Sequence, residues 1–146
     1  MADWSWCVSV FCRNEAPSIR QCVDSILAQC QGRPHHVYVV INGCSDNTVD
    51  VVRQAGYPDS DTVSVLEIPF GDKRNAWNQL IHRVKPAADL YLFADGYITL
   101  RPNALRLLES ALIAAPEANA AAAVPSSGRA AAIERAGLLE KGGLHG

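Results

Sequence analysis

The run LYLFA leads straight into Asp95, and Gly96 and Tyr97 intervene before the apolar pattern resumes. A carboxylate that ends an interior strand is seldom a mere surface residue. The chemistry open to it is to hold a divalent cation or a ribose hydroxyl, with a capping or turn role through Gly96 as the simpler alternative. Lys73 and Arg74 stand at the start of a helical pattern, the end at which the helix dipole disfavours cations, so contact with an anion is their functional reading and a solvated first turn their bland one. Arg13, Asn14 and Glu15 follow the first apolar run, and Asn42, Gly43, Ser45 and Asp46 follow the second. Asn42-Gly43 is a turn signal first and a ligand contact second. Asp46 is expected as a helix cap, and Asn78 as a residue facing water.

The elements that must carry these residues follow from hydrophobic spacing, which switches repeatedly between periods of about 2 and about 3.6 residues. That alternation predicts an α/β fold with a mostly parallel sheet between two helical layers. SWCVSVFC is a first strand. From Pro17 the residues Ile19, Cys22, Val23, Ile26 and Leu27 line one face of a helix that runs to about Cys30. HHVYVVI is a second strand, TVSVLEI a third and LYLFA a fourth. Helices are expected around Val49, Val51 and Val52, over residues 72–84, and after Pro102 with Leu105, Leu108 and Leu112 as the buried stripe. ANAAAAV, residues 118–124, reads as a short strand, and residues 125–146 as a loop followed by a weak helix. In parallel α/β sheets ligands bind beyond the carboxyl ends of the strands. The four polar clusters fall there and are expected to form one rim.

Composition narrows the function class. The chain has 146 residues, 49% apolar and 19% charged, with a formal net charge of −2. This is ordinary for a single globular domain over 1–146. The basic residues are scattered, so a partner such as DNA is not expected. No stretch approaches the roughly 20 apolar residues of a membrane span. MADWSW has an acid where a signal peptide has a base, so a cytoplasmic chain is expected, with peripheral contact to a membrane through further parts as the variant of that reading. Five unpatterned cysteines read as reduced thiols used as small apolar residues. Dinucleotide and P-loop glycine signatures are absent, and so is the G-x-S-x-G elbow.

Taken in order, VSVFCRNEAPSIRQCVDSILAQ, HVYVVINGCSDNTVDVV, GDKRNAWNQLI and DLYLFADGYITLRPNALRLLESAL resemble the nucleotide-sugar half of a family 2 glycosyltransferase of the GT-A fold, over residues 6 to about 124. The resemblance implies a fold, an activity and a set of roles. Arg13, Asn14 and Glu15 match the stretch that embraces the nucleoside. Asn42 matches the second acid of an Asp-Asp-Gly-Ser pattern that reads the uracil edge, with Asp46 nearby among the substrate-binding residues. Lys73 and Asn78 match positions near the diphosphate and the sugar, and Asp95 matches the first acid of the Asp-x-Asp metal motif. The implied ligand is a nucleoside diphosphate sugar, with a UDP-sugar favoured, and the implied cofactor is Mg²⁺ or Mn²⁺ held at Asp95. The implied reaction is inverting transfer of a hexosyl group to a hydroxyl.

Arg13 stands where the family usually has Tyr and Asn42 where it has an acid, and two further positions depart from the family pattern. Tyr97 stands where the second acid of the metal motif belongs, and a neutral phenol is a poor ligand for a hard divalent ion. Ile41 replaces the first acid of the strand-two pattern. The family's general base lies in a later segment, after a strand entry that GGLHG resembles, so the chain is expected to be truncated, without its acceptor side. No base is assigned. Apolar surface left open by that truncation would favour a homo-oligomer. The competing reading is a non-catalytic module that keeps nucleotide-sugar affinity. A nucleotidyltransferase is disfavoured, because FCRNEAPS lacks a glycine-rich loop.

Overall fold

In the computed structural model, which describes residues 3–123, four strands form one parallel sheet: β1 (Trp6–Cys12), β2 (His35–Asn42), β3 (Val63–Ile68) and β4 (Leu90–Asp95). Their order is β3-β2-β1-β4. The chain therefore steps outward from β1 to β2 to β3 and then returns across the sheet to place β4 on the other side of β1. This reversal decides which face each crossover helix covers, because a crossover between parallel strands is right-handed. Helices α1 (Ile19–Cys30) and α2 (Thr48–Gln54) accompany the outward steps, and α3 (Lys73–Asn78) accompanies the return.

Packing agrees with that expectation. Phe11 and Val40, opposite one another in register, bury against Ala76 and Leu80 of the return crossover. Side chains alternate along a strand, so the fully buried Val10 and Val39 face the other way, toward the stripe of Ile19, Cys22, Val23 and Ile26 on α1. All seven residues of β1 are buried, as a central strand covered on both faces requires.

The helix expected over residues 72–84 is not uniform. After α3 the chain forms a π-helical turn (Gln79–Val84), closed by the Lys85 N–H donating to the Leu80 carbonyl at 3.0 Å. The wider turn keeps Leu80 fully buried and Ile81 packed on the same cluster.

The chain divides into two compact units between Pro102 and Asn103, and all of the foregoing lies in the first. In the second, α4 (Ala104–Ala114) begins beyond Asn103, with Leu105 and Glu109 buried and Leu108 and Leu112 half-buried. The strand expected over residues 118–124 is corrected. Residues 118–123 are not in a strand, and the Ala118 N–H instead closes a turn on the Ala115 carbonyl at 2.9 Å. Alanine has little intrinsic preference for a pleated strand, so the run has nothing of its own to hold it extended. Val124 and the helix expected within residues 125–146 lie outside the described residues.

Candidate functional site

Because the strand order reverses at β1, loops on its two sides leave in opposite directions and a crevice opens beyond the carboxyl ends of β1 and β4. Asp95 ends β4 and pairs in register with Phe11, one residue before the end of β1. The pocket at this point is lined by Phe11, Cys12, Arg13, Glu15, Asn42, Gly71, Lys73, Asp95 and Tyr97. Side chains from the ends of β1, β2 and β4 and from the loop after β3 thus meet in one place.

Close backbone approach makes this possible. Gly43 has a left-handed backbone, φ +61°, and a Cβ on it would lie 2.3 Å from the Gly71 nitrogen. The loop after β3 consequently lies down on the end of β2. The Gly43 N–H donates to the Ile68 carbonyl at 2.7 Å, and the Asp72 N–H donates to Asn42 Oδ1 at 3.1 Å. Arg13 lies over Gly71 and donates to its carbonyl at 3.1 Å. Asp72 then starts α3 by accepting from the Arg74 and Asn75 N–H groups, which brings Lys73 into the pocket.

Lys73 Nζ is 2.9 Å from Asp95 Oδ1, and the Tyr97 hydroxyl donates to Asp95 Oδ2 at 3.4 Å. Both oxygens of that carboxylate are engaged. On the β2 side, the Asn42 amide can be oriented without ambiguity. A backbone N–H only donates, so the atom facing Asp72 is the oxygen, and the amide N–H₂ remains for a ligand. Glu15 lines the pocket while its carboxylate accepts from the Ser18 hydroxyl at 3.4 Å. Beneath the pocket, burial pushes the Cys22 thiol up to about 11, and the charges of Asp95 and Glu15 add to the shift.

Three expected site residues are not among those lining the pocket. Asn14, at φ +54°, turns its Oδ1 to the Ser45 and Asp46 N–H groups at 2.8 and 3.2 Å, which ties the loop after β1 to the loop after β2. Asp46 accepts from the Ala16 and Thr48 N–H groups and from the Thr48 hydroxyl, and this last bond is the main cause that lowers its pKa. The cap expected at Asp46 is corrected: the N-cap of α2 is Asn47, with no side-chain cap bond, and Asp46 stands one residue before it, bonding Thr48 at the first helical position and Ala16 on the loop after β1. Asn78 is exposed at the end of α3. Ile41, where the family pattern has an acid, is buried in the core. Sequence reasoning did not single out Phe11 or Cys12 as lining residues. The available clue was their place at the carboxyl end of the first strand.

Among the described residues no helix is long and apolar enough to cross a membrane. No curated protein matches the sequence. Among solved structures, a mannosyltransferase from Pyrobaculum calidifontis in complex with GDP-Man and Mn²⁺ superposes with a TM-score of 0.66 at 22% identity, over 77% of this chain and 33% of that one. Glucosyl-3-phosphoglycerate synthase from Mycobacterium tuberculosis, in complex with Mn²⁺, UDP and glucosyl-3-phosphoglycerate, gives 0.60 at 20% identity over 75% and 39%. TarS 1–349 of S. aureus in complex with UDP-GlcNAc gives 0.58 at 18% identity over 75% and 31%. These likenesses show the GT-A fold, and the chain spans roughly a third of the length of each of those proteins. The pattern of the family described as "Glycosyltransferase like family 2" matches residues 6–130, most of the sequence, and the chain belongs to that family.

Proposed function

We propose that this chain is the donor-binding part of a glycosyltransferase, holding a nucleoside diphosphate sugar whose hexosyl group passes with inversion to an acceptor hydroxyl. The observation that carries the reading is the meeting of Asn42, Lys73 and Asp95, from three separate strand ends, in one pocket at the reversal of strand order. In this reading Glu15 and Asn42 fix the nucleoside, Arg13 and Lys73 face the diphosphate, and Asp95 lies beside it. Asn14 and Asp46 act by holding the two nucleoside-side loops together, and Asn78 lies toward the sugar. UDP is the favoured nucleotide and GDP the alternative, since the related structures contain one or the other. Calorimetric titration with UDP and GDP tests the proposal: micromolar to millimolar binding supports it, and no heat with either rejects it.

The departures Tyr97 and Ile41 favour a second reading, a module that binds the nucleotide sugar without transferring it. Release of UDP from UDP-sugar in the presence of hydroxyl acceptors would exclude that module.

A divalent ion at Asp95 is the cofactor that two of the related structures suggest, since both contain Mn²⁺. The donor set of this chain fits it poorly. One Asp95 oxygen faces an ammonium, the other faces a phenol, and among the described residues no group of three His, Cys, Asp or Glu side chains could hold a metal ion. Five free cysteines support a reducing, cytoplasmic location, which fractionation of the tagged protein would check. Tyr91 and Phe93 are more than 40% exposed on β4, at one end of the sheet, which supports self-association, testable by light scattering.

A further inference from the structure

Any site that takes a diphosphate must meet its negative charge, and in this pocket the cation beside the strand-end carboxylate is already part of the chain. Lys73 Nζ sits 2.9 Å from Asp95 Oδ1. An ammonium carries three protons, so two remain for other acceptors once one is directed at Asp95. The pair is not a buried structural device: the side chains are 62% and 38% exposed, and such pairs contribute little to folding. Tyr97 occupies the position from which a second carboxylate would draw in a divalent ion, and its hydroxyl donates to the remaining Asp95 oxygen at 3.4 Å. A divalent ion entering here would displace both partners and would face the lysine charge at close range.

We infer that Lys73, held in place by Asp95, supplies the positive charge for the ligand's diphosphate in place of a divalent metal ion. Asp95 is then a positioning residue for an ammonium, and Tyr97 completes the shell around its carboxylate. Arg13 lines the same pocket and adds a second fixed cation, anchored on the Gly71 carbonyl. The inference rests on the nucleotide-binding reading above and deepens it by naming the group that recognises the diphosphate.

The test is calorimetric titration of the chain with UDP and GDP in EDTA and again in Mn²⁺, with uridine as the phosphate-free probe. The nucleotide that binds is expected to bind equally, within about twofold, in both buffers. Lys73→Met is expected to weaken it by about tenfold or more while leaving uridine unchanged. Tyr97→Asp restores two acids at Asp-x-Asp spacing and is expected to make binding about tenfold tighter in Mn²⁺ than in EDTA, which a purely structural tyrosine would not predict. Wild-type binding that appears only with Mn²⁺ overturns the inference and leaves the nucleotide site standing. Absence of binding in every buffer overturns both. Circular dichroism of each variant separates loss of the lysine from loss of the fold.

Discussion

The ammonium of Lys73 and the carboxylate of Asp95 meet at 2.9 Å although 22 residues separate them, and the contact joins the loop after β3 to the end of β4. Partial exposure of both side chains keeps the contact weak in folding terms. Lys73→Met is therefore expected to change unfolding free energy by no more than about 1 kcal/mol, read as the urea midpoint at constant slope. A larger loss would make the pair structural and would remove the reason for assigning it to a ligand.

Asn42 offers the pocket only the donor end of its amide, because the Asp72 N–H holds its oxygen at 3.1 Å. In Asn42→Asp the carboxylate keeps that bond and presents a second acceptor. Uracil carries an N–H on the edge where cytosine carries a bare nitrogen, so the substitution is expected to raise the preference for UDP over CDP by up to about tenfold. Competition binding of the two nucleotides measures the ratio, and an unchanged ratio would remove Asn42 from the base-reading role.

Gly43 and Gly32 both have left-handed backbones, and they separate two effects. At Gly43 a Cβ would strike the Gly71 backbone at 2.3 Å, whereas at Gly32 nothing lies within 4 Å. Gly32→Ala is expected to cost about 1–2 kcal/mol for the backbone conformation alone. Gly43→Ala is expected to cost clearly more, because the loop carrying Gly71 and Lys73 must also lift. Equal denaturation midpoints for the two variants would contradict the close approach.

Acid is expected to loosen the molecule through carboxylates bonded to backbone and hydroxyl donors. The Thr48 hydroxyl holds the Asp46 pKa below its ordinary value of 3.8, and the Ser5 N–H and hydroxyl do the same for Asp89. A folded pKa below the unfolded one contributes stability that is present above about pH 4 and is lost as pH falls through the lower folded value. Burial holds the His36 pKa below its ordinary value of 6.5, so urea midpoints are expected to ease between pH 7 and 5 and to drop further below pH 4. Asp46→Asn should flatten that drop, and an unchanged acid limb would show that Asp46 is not its source.

Much of this fold was legible because period and burial coincide. The seven residues of β1 are apolar or small and all are buried, and the apolar run from Leu90 stops at Asp95, where the strand stops. Cys12, Cys22 and Cys30 are buried with thiol pKa values raised mainly by desolvation, as expected of cysteines used as packing residues. The meeting of Lys73 with Asp95 was legible only as a shared rim, since their contact depends on how far the loop after β3 folds over β2. That distance is set by Gly43 against Gly71, a backbone contact with no side-chain signature. Asn14 and Asp46 read as ligand contacts for the same reason. Each satisfies N–H groups on a loop some 30 residues away in sequence, which spacing along the chain does not reveal.

The central claim is that loops after four parallel strands make one nucleoside diphosphate site, and amide chemical-shift mapping during a UDP or GDP titration tests it most directly. The account predicts that the largest perturbations cluster at Arg13, Gly43, Gly71, Lys73, Asp95 and Gly96, with Gly32 and Gly56 unmoved. Perturbations centred elsewhere, or none with either nucleotide, would contradict it.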